Sequence, residues 1–246
     1  EGNNLSEGEV MAILDGKNVI APQKEILEVR NAIKTYELYS TLNPFSIEDM
    51  LKAHLTMMSG LVDEAGMFRR RGVGVFDGTT AVHIAPPAER VKDLMNDLFT
   101  WLENSEDHLL IRSCVFHYEF EFIHPFADGN GRIGRLWQSL ILGKLNPLFE
   151  HLPVENMVYA NQQAYYDAIT QSSAKGDSQP FIDFMLQEIL NALEDRKGHT
   201  VDEIGLANSL SENEIKILGL IRSDRHMSAK RLAEEIGASP RQIERI

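Results

Sequence analysis

The stretch His124-Pro125-Phe126-Ala127-Asp128-Gly129-Asn130-Gly131-Arg132-Ile133-Gly134-Arg135 gathers one imidazole, one carboxylate, a run of small residues and two guanidinium groups. These residue types suit a bound, metal-complexed polyphosphate. Gly129, Asn130 and Gly131 tolerate left-handed or otherwise restricted backbone angles, so successive N–H groups can turn inward, and a helix beginning near Asn130 would add its positive end. Arg132 and Arg135 stand three apart and share a face of that helix, where forked donors can grip terminal phosphate oxygens. Asp128 is placed to hold Mg²⁺, which prefers one or two carboxylates together with phosphate oxygens and water. His124 lies just upstream, and an imidazole that titrates near pH 6.5 in water can accept a proton from an incoming hydroxyl. Two plainer readings stay open. Gly-Asn-Gly can be an ordinary turn with His124 a structural residue, or His124 and Asp128 can be two ligands of a zinc site whose remaining ligands form no recognisable pattern. No G-x-x-x-x-G-K-[ST] loop occurs anywhere in the chain.

The elements around this stretch read as mostly helical. Ser6 and Glu9 form a capping box opening a helix to about Leu14, Pro22 starts a helix to about Leu42, and Ser46 caps another to about Val62. Leu109, Phe116, Phe120 and Ile123 recur at helical spacing, so an apolar-faced helix enters the stretch. Helices to about Leu142, from Val154 to Ser173 and from Pro180 to Arg196 follow. One segment departs from the helical period: Val73-Gly74-Val75-Phe76, a Gly-containing turn, then Ala81-Val82-His83-Ile84 read as a β-hairpin. Arg69, Arg70 and Arg71 before it read as a solvated face, with the holding of an acidic target as the alternative.

The 246 residues and 43% apolar content suffice for one substantial domain and a small one. The expected division is N-terminal helices over 1–45, a catalytic core over 46–197, a linker over 198–208 and a partial helix-turn-helix or winged-helix module over 209–246. In that module Ser211 and Ser228 cap the first two helices, and the third carries Arg241 and Arg245. Its acidic and basic side chains nearly balance, so protein contact or homodimerisation is as compatible with it as DNA binding. The net charge of −13 argues against broad nucleic-acid affinity. A single cysteine, Cys114, suits a reducing compartment and packs in a helix. No apolar run reaches the roughly 18 residues of a membrane span, so a cytoplasmic protein with no membrane partner is expected. The chain opens on Glu1 rather than Met, and its native start is expected upstream.

Residues His124 to Arg135 resemble the active-site motif of the Fic family, H-P-F-x-[DE]-G-N-G-R-x-x-R, at every fixed position. The resemblance implies a mainly α fold with a β-hairpin flap, and transfer of AMP from ATP to a Ser, Thr or Tyr hydroxyl of a target protein. It implies His124 as general base, Asp128 as Mg²⁺ ligand, Gly129, Asn130 and Gly131 as phosphate loop, and Arg132 and Arg135 as the phosphate clamp. Phe126 would anchor the core. The hairpin residues Val73, Gly74, Val75, Phe76, Val82, His83 and Ile84 would form the flap that aligns a target peptide by main-chain hydrogen bonds. Asn161, Tyr165 and Tyr166 resemble the family's N-R-x-x-Y-Y stretch bordering the adenosine, with Gln162 in place of Arg, and the two tyrosines can equally be helix-packing aromatics. Glu1-Gly2-Asn3 resembles the end of an inhibitory helix, [ST]-x-x-x-E-[GN], without its Ser/Thr half. Glu1 would then pair with Arg135 and hold ATP in an unproductive pose. Family members also remove AMP or transfer other phosphate-linked groups, and a nucleotide-gated regulator is the alternative outside catalysis.

Overall fold

The computed structural model describes residues 3–77, 80–146, 149, 154–207 and 235. Glu1 and nearly all of the C-terminal module expected over 209–246 lie outside these. The chain divides into two compact units between Ala192 and Leu193, and the first of them contains the stretch from His124 to Arg135.

The helices come in the order α1 (Glu7–Leu14), α2 (Gln23–Glu37), α3 (Ile47–Met58), α4 (Val91–Asn104), α5 (Leu109–Ile123), α6 (Asn130–Leu145), α7 (Val154–Ala160), α8 (Gln162–Lys175) and α9 (Gln179–Ala207). The capping box of α1 forms: Glu9 N–H donates to Ser6 Oγ, and Ser6 N–H to Glu9 Oε2 at 2.8 Å. Ser46 caps α3 by accepting from Asp49 N–H.

Four boundaries differ from those expected. α2 stops at Glu37, short of Leu42, and a single 3₁₀ turn over Tyr39–Thr41 follows. Asn43-Pro44 lies just beyond, and a residue before proline is driven to extended backbone. α3 ends at Met58 because Ser59 is extended. The helix expected over 154–173 breaks at Asn161, whose φ of −121° and ψ of 36° divide α7 from α8. The linker expected over 198–208 is helical as far as Ala207, in α9. A lone Gly198 costs a helix only about 1 kcal/mol and no proline follows it. Helix α4 is an addition to the expected elements, although Val91, Met95, Leu98, Phe99 and Leu102 mark one buried face at helical spacing.

The core lies among α3, α4, α5 and α6 and is built from Met50, Met58, Phe99, Phe116, Phe120, Phe126 and Trp137. Trp137 meets its polar need by donating to Pro44 O at 2.9 Å. The most extensive packing between helices is that of α5 on α6. Gly134 permits it, since a Cβ there would stand 2.8 Å from Glu121 Oε1 and 3.2 Å from the Phe120 ring.

Two antiparallel strands, β1 (Gly74–Asp77) and β2 (Thr80–Ile84), pair Gly74 with Ile84 and Val75 with His83, then shift register between Val75 and Phe76. Ala85 N–H extends the ladder by donating to Val73 O.

Candidate functional site

The loop between α5 and α6 carries the stretch that begins at His124. α5 delivers His124 as its last, left-handed residue, with φ 49° and ψ 62°, the only described non-glycine residue at positive φ. For a residue with a Cβ such a conformation costs on the order of 1–3 kcal/mol and persists only where its surroundings impose it. The surroundings here are specific. Arg69 Nε donates to His124 O at 2.7 Å, Arg69 N–H donates to Pro125 O at 2.9 Å, and His124 N–H returns to Phe120 O. The imidazole is largely enclosed, and its Nδ1 lies 3.8 Å from Glu121 Oε2 one helical turn back.

Beyond His124 the loop is tied on both sides. Asn130 closes a ring with the Phe126 backbone, accepting from its N–H at 2.8 Å and donating to its carbonyl at 2.9 Å. Phe126 is fully buried, and its ring stacks on His54 with centroids 3.7 Å apart and planes 6° from parallel. His54 Nδ1 accepts from Gly66 N–H at 2.8 Å, so the ring proton belongs on Nε2, which donates to Asp128 O at 3.0 Å. Burial pushes the His54 pKa down, which keeps that neutral tautomer.

Gly129 then turns the chain at φ 85° and is the N-cap of α6. A Cβ here would stand 2.7 Å from Met58 Sδ, and the left-handed angle would be strained as well. Helix α6 opens with no side-chain cap, so no side chain answers its first-turn N–H groups at the positive end of the helix. Of Gly129, Asn130 and Gly131, each able to take a left-handed or otherwise restricted angle, only Gly129 is left-handed. Asn130 and Gly131 belong to the first helical turn, and the Asn130 side chain is spent on the loop rather than turned to a ligand.

Asp128 is the exposed carboxylate. Its Oδ1 accepts from Gly129 N–H at 2.6 Å and lies 3.5 Å from Arg132 NH2. Among the described residues no group of three or more His, Cys, Asp or Glu is arranged to hold a metal. The donor set at the loop is therefore a single carboxylate, which fits Mg²⁺ shared with phosphates better than a zinc site needing three or four protein ligands. Arg135 is 9% exposed and Arg132 partly buried.

Tyr165 departs from its expected place. It is buried, and its hydroxyl donates to His117 Nε2 at 3.0 Å, while His117 Nδ1 donates to Gln138 Oε1 at 2.6 Å. Burial, and secondarily the charge of Arg135, push the His117 pKa down to about 3. The ring stays neutral and the chain Tyr165–His117–Gln138 ties α8, α5 and α6 together. A tyrosine bonded inside the core cannot also line a ligand wall with that hydroxyl. Its neighbour Tyr166 is 38% exposed. Asn161 lies on the surface and donates to Glu188 Oε2 at 2.7 Å.

Arg69 also departs. At 2% exposure it belongs to no solvated face. His54, Glu121 and Arg69 all serve the loop, and none of them is marked as a site residue by the sequence. A signal exists only for Glu121, one turn before His124.

A model of the Fic/DOC family matches residues 44–142. A solved Fic family protein from Desulfovibrio desulfuricans G20 is 43% identical, superposes with a TM-score of 0.75, and is matched over 99% of this chain and 72% of its own. The chain belongs to the Fic family. It is also similar to the protein adenylyltransferase fic-1 of Caenorhabditis briggsae, 30% identical over 246 residues, which span 91% of this chain and 45% of the relative. The protein adenylyltransferase Fic of Nematostella vectensis is 28% identical over 197 residues, 75% of this chain and 43% of the relative. The chain thus spans less than half the length of these curated relatives. Residues 134–508 of Fic-1 from C. elegans, at 26% identity and a TM-score of 0.61, share the fold over 80% of this chain.

Proposed function

We propose that this protein is a protein adenylyltransferase that moves AMP from ATP to a Ser, Thr or Tyr hydroxyl of a target protein. The observation that carries this reading is a left-handed histidine in the loop that leads into a helix N-terminus without a side-chain cap, with the two arginines on that same helix. Outer phosphates sit at the first turn of α6, gripped by Arg132 and Arg135. Asp128 would hold Mg²⁺, which when bound would neutralise phosphate charge. The Glu121 carboxylate beside His124 Nδ1 favours a proton on that nitrogen and leaves the Nε2 lone pair as base. Nε2 takes the hydroxyl proton as the target oxygen bonds to the α-phosphorus. The bond from that phosphorus to the bridging oxygen breaks, and pyrophosphate leaves.

The hairpin aligns the target by main-chain pairing along a strand edge, which sets register with little demand on side chains. Asn161 and Tyr166 border the adenosine. In the native chain Glu1 restrains Arg135. Asn3 and Asn4 support this, because both are hydrogen-bonded to Glu25 on α2 and so tether the segment that follows Glu1. The module over 209–246 contacts protein or DNA, or mediates a homodimer, and the enzyme works in the cytoplasm.

The test is mass spectrometry of lysate proteins incubated with this protein, Mg²⁺ and ATP. An AMP increment on hydroxyl side chains is expected, enlarged by Glu1→Gly. No increment with either form would overturn the reading.

A further inference from the structure

Arg69 is a buried cation whose hydrogen bonds all go to backbone. Besides His124 O, its NH2 donates to Pro86 O at 2.6 Å and Ile123 O at 3.2 Å, and its NH1 to Arg71 O at 2.9 Å. Among the described residues no carboxylate lies within ion-pairing distance of it. Its acceptors fall into two groups. Ile123 and His124 are the last carbonyls of α5, groups that a helix leaves without intrahelical partners and that carry its negative end. Arg71 and Pro86 flank the hairpin, one before β1 and one after β2. One planar guanidinium therefore caps the helix that presents His124 and fastens both feet of the hairpin. Its fork cannot follow one group of acceptors without displacing the other.

We propose that Arg69 is a positioning residue that sets the distance between the target-aligning hairpin and the base. This rests on the adenylyl-transfer reading of the site. Arg69 holds the hairpin at its two feet, so the target oxygen is delivered to His124 Nε2 only as accurately as those feet are held. A target oxygen misplaced by about 1 Å costs on the order of 100-fold in rate. Nucleotide binding depends on α6, and among the described residues the Arg69 guanidinium makes its hydrogen bonds to α5 and the hairpin feet instead.

The test compares the parent with Arg69→Lys and Arg69→Met. An ammonium keeps the charge but cannot reach four carbonyls in one plane, and Met keeps only the bulk. In folded variants kcat for transfer to a protein target should fall about 10-fold for Lys and about 100-fold for Met, with ATP KM changed less than about 3-fold. Independently of activity, backbone amides over 74–85 should exchange faster, and the His124 ring signals should shift in NMR spectra. Should neither variant fold, Pro86→Gly loosens one acceptor while keeping the guanidinium, and should move the same signals in the same direction. Unchanged exchange and unchanged His124 signals, or equal losses of kcat and of ATP binding, would overturn the proposal. If the parent transfers AMP to no protein, the transfer reading fails on its own, and exchange and ring signals still decide whether Arg69 links hairpin and histidine.

Discussion

The backbone on either side of Phe126 is held by Asn130, His54 and Arg69, which come from the following helix, from α3 and from the segment before the hairpin. At Asn161 to Tyr166 the arrangement is looser. One tyrosine is bonded into the core, its neighbour stands half in solvent, and the asparagine answers a glutamate on α9. The loop proposed to take the phosphates is thus preorganised by buried hydrogen bonds, whereas the surface proposed to border the adenosine also serves packing. Preorganised donors cost no rearrangement when charge develops, so the loop is where rate should be concentrated.

Substitutions that separate the two regions should rank accordingly. The largest effect is expected from His124→Ala, which removes proton acceptance and few ground-state contacts. Transfer should fall by roughly 10²- to 10⁴-fold while calorimetric ATP affinity stays near that of the parent; undiminished labelling would remove His124 from the mechanism. Asn130→Ala should come next, through stability. It strands the buried N–H and carbonyl of Phe126, each worth about 1–3 kcal/mol, so the urea midpoint should drop sharply and activity with it. A midpoint within error of the parent would mean that the loop is not held through Asn130.

The two tyrosines provide the sharper contrast. Tyr165→Phe leaves His117 Nε2 without its donor and should cost about 1–3 kcal/mol, with ATP affinity little changed in the folded protein. Tyr166→Ala should leave stability within about 0.5 kcal/mol, as exposed positions do, and instead weaken ATP binding. The reverse pattern would place Tyr165, not Tyr166, at the nucleotide.

The buried imidazole also makes stability depend on pH. His117 titrates at about 3 when folded, against about 6.5 in the unfolded chain. Above pH 6.5 neither state binds the proton. As pH falls from 6.5 toward 3 the unfolded state gains it first, so stability is full above 6.5 and is lost progressively below. His54, also displaced downward by burial, acts in the same direction. Urea midpoints should therefore decline between pH 6.5 and 5, before most carboxylates titrate. A flat profile there would show that His117 is not held neutral in the core.

The stretch from His124 to Arg135 is legible in the sequence because its chemistry is local. The imidazole, the carboxylate, the turn glycine and the arginines lie within a few residues of one another, so the set can be read from residue types and spacing alone. The capping box of α1 and the hairpin are legible for the same reason. Other features are long-range and leave no trace in local spacing. Whether Tyr165 or Tyr166 faces the core depends on where α8 meets His117 on α5, and the break at Asn161 shifts that face. Arg69 reads as one of three surface arginines until the fold brings it beneath the carbonyls of Ile123, His124 and Pro86. A buried guanidinium is tolerable only where several acceptors converge, and convergence belongs to tertiary structure. Residue types and spacing determined which groups could do chemistry; the packing of α5, α6 and the hairpin feet decided how those groups are held, because backbone carbonyls carry no side-chain identity to be read.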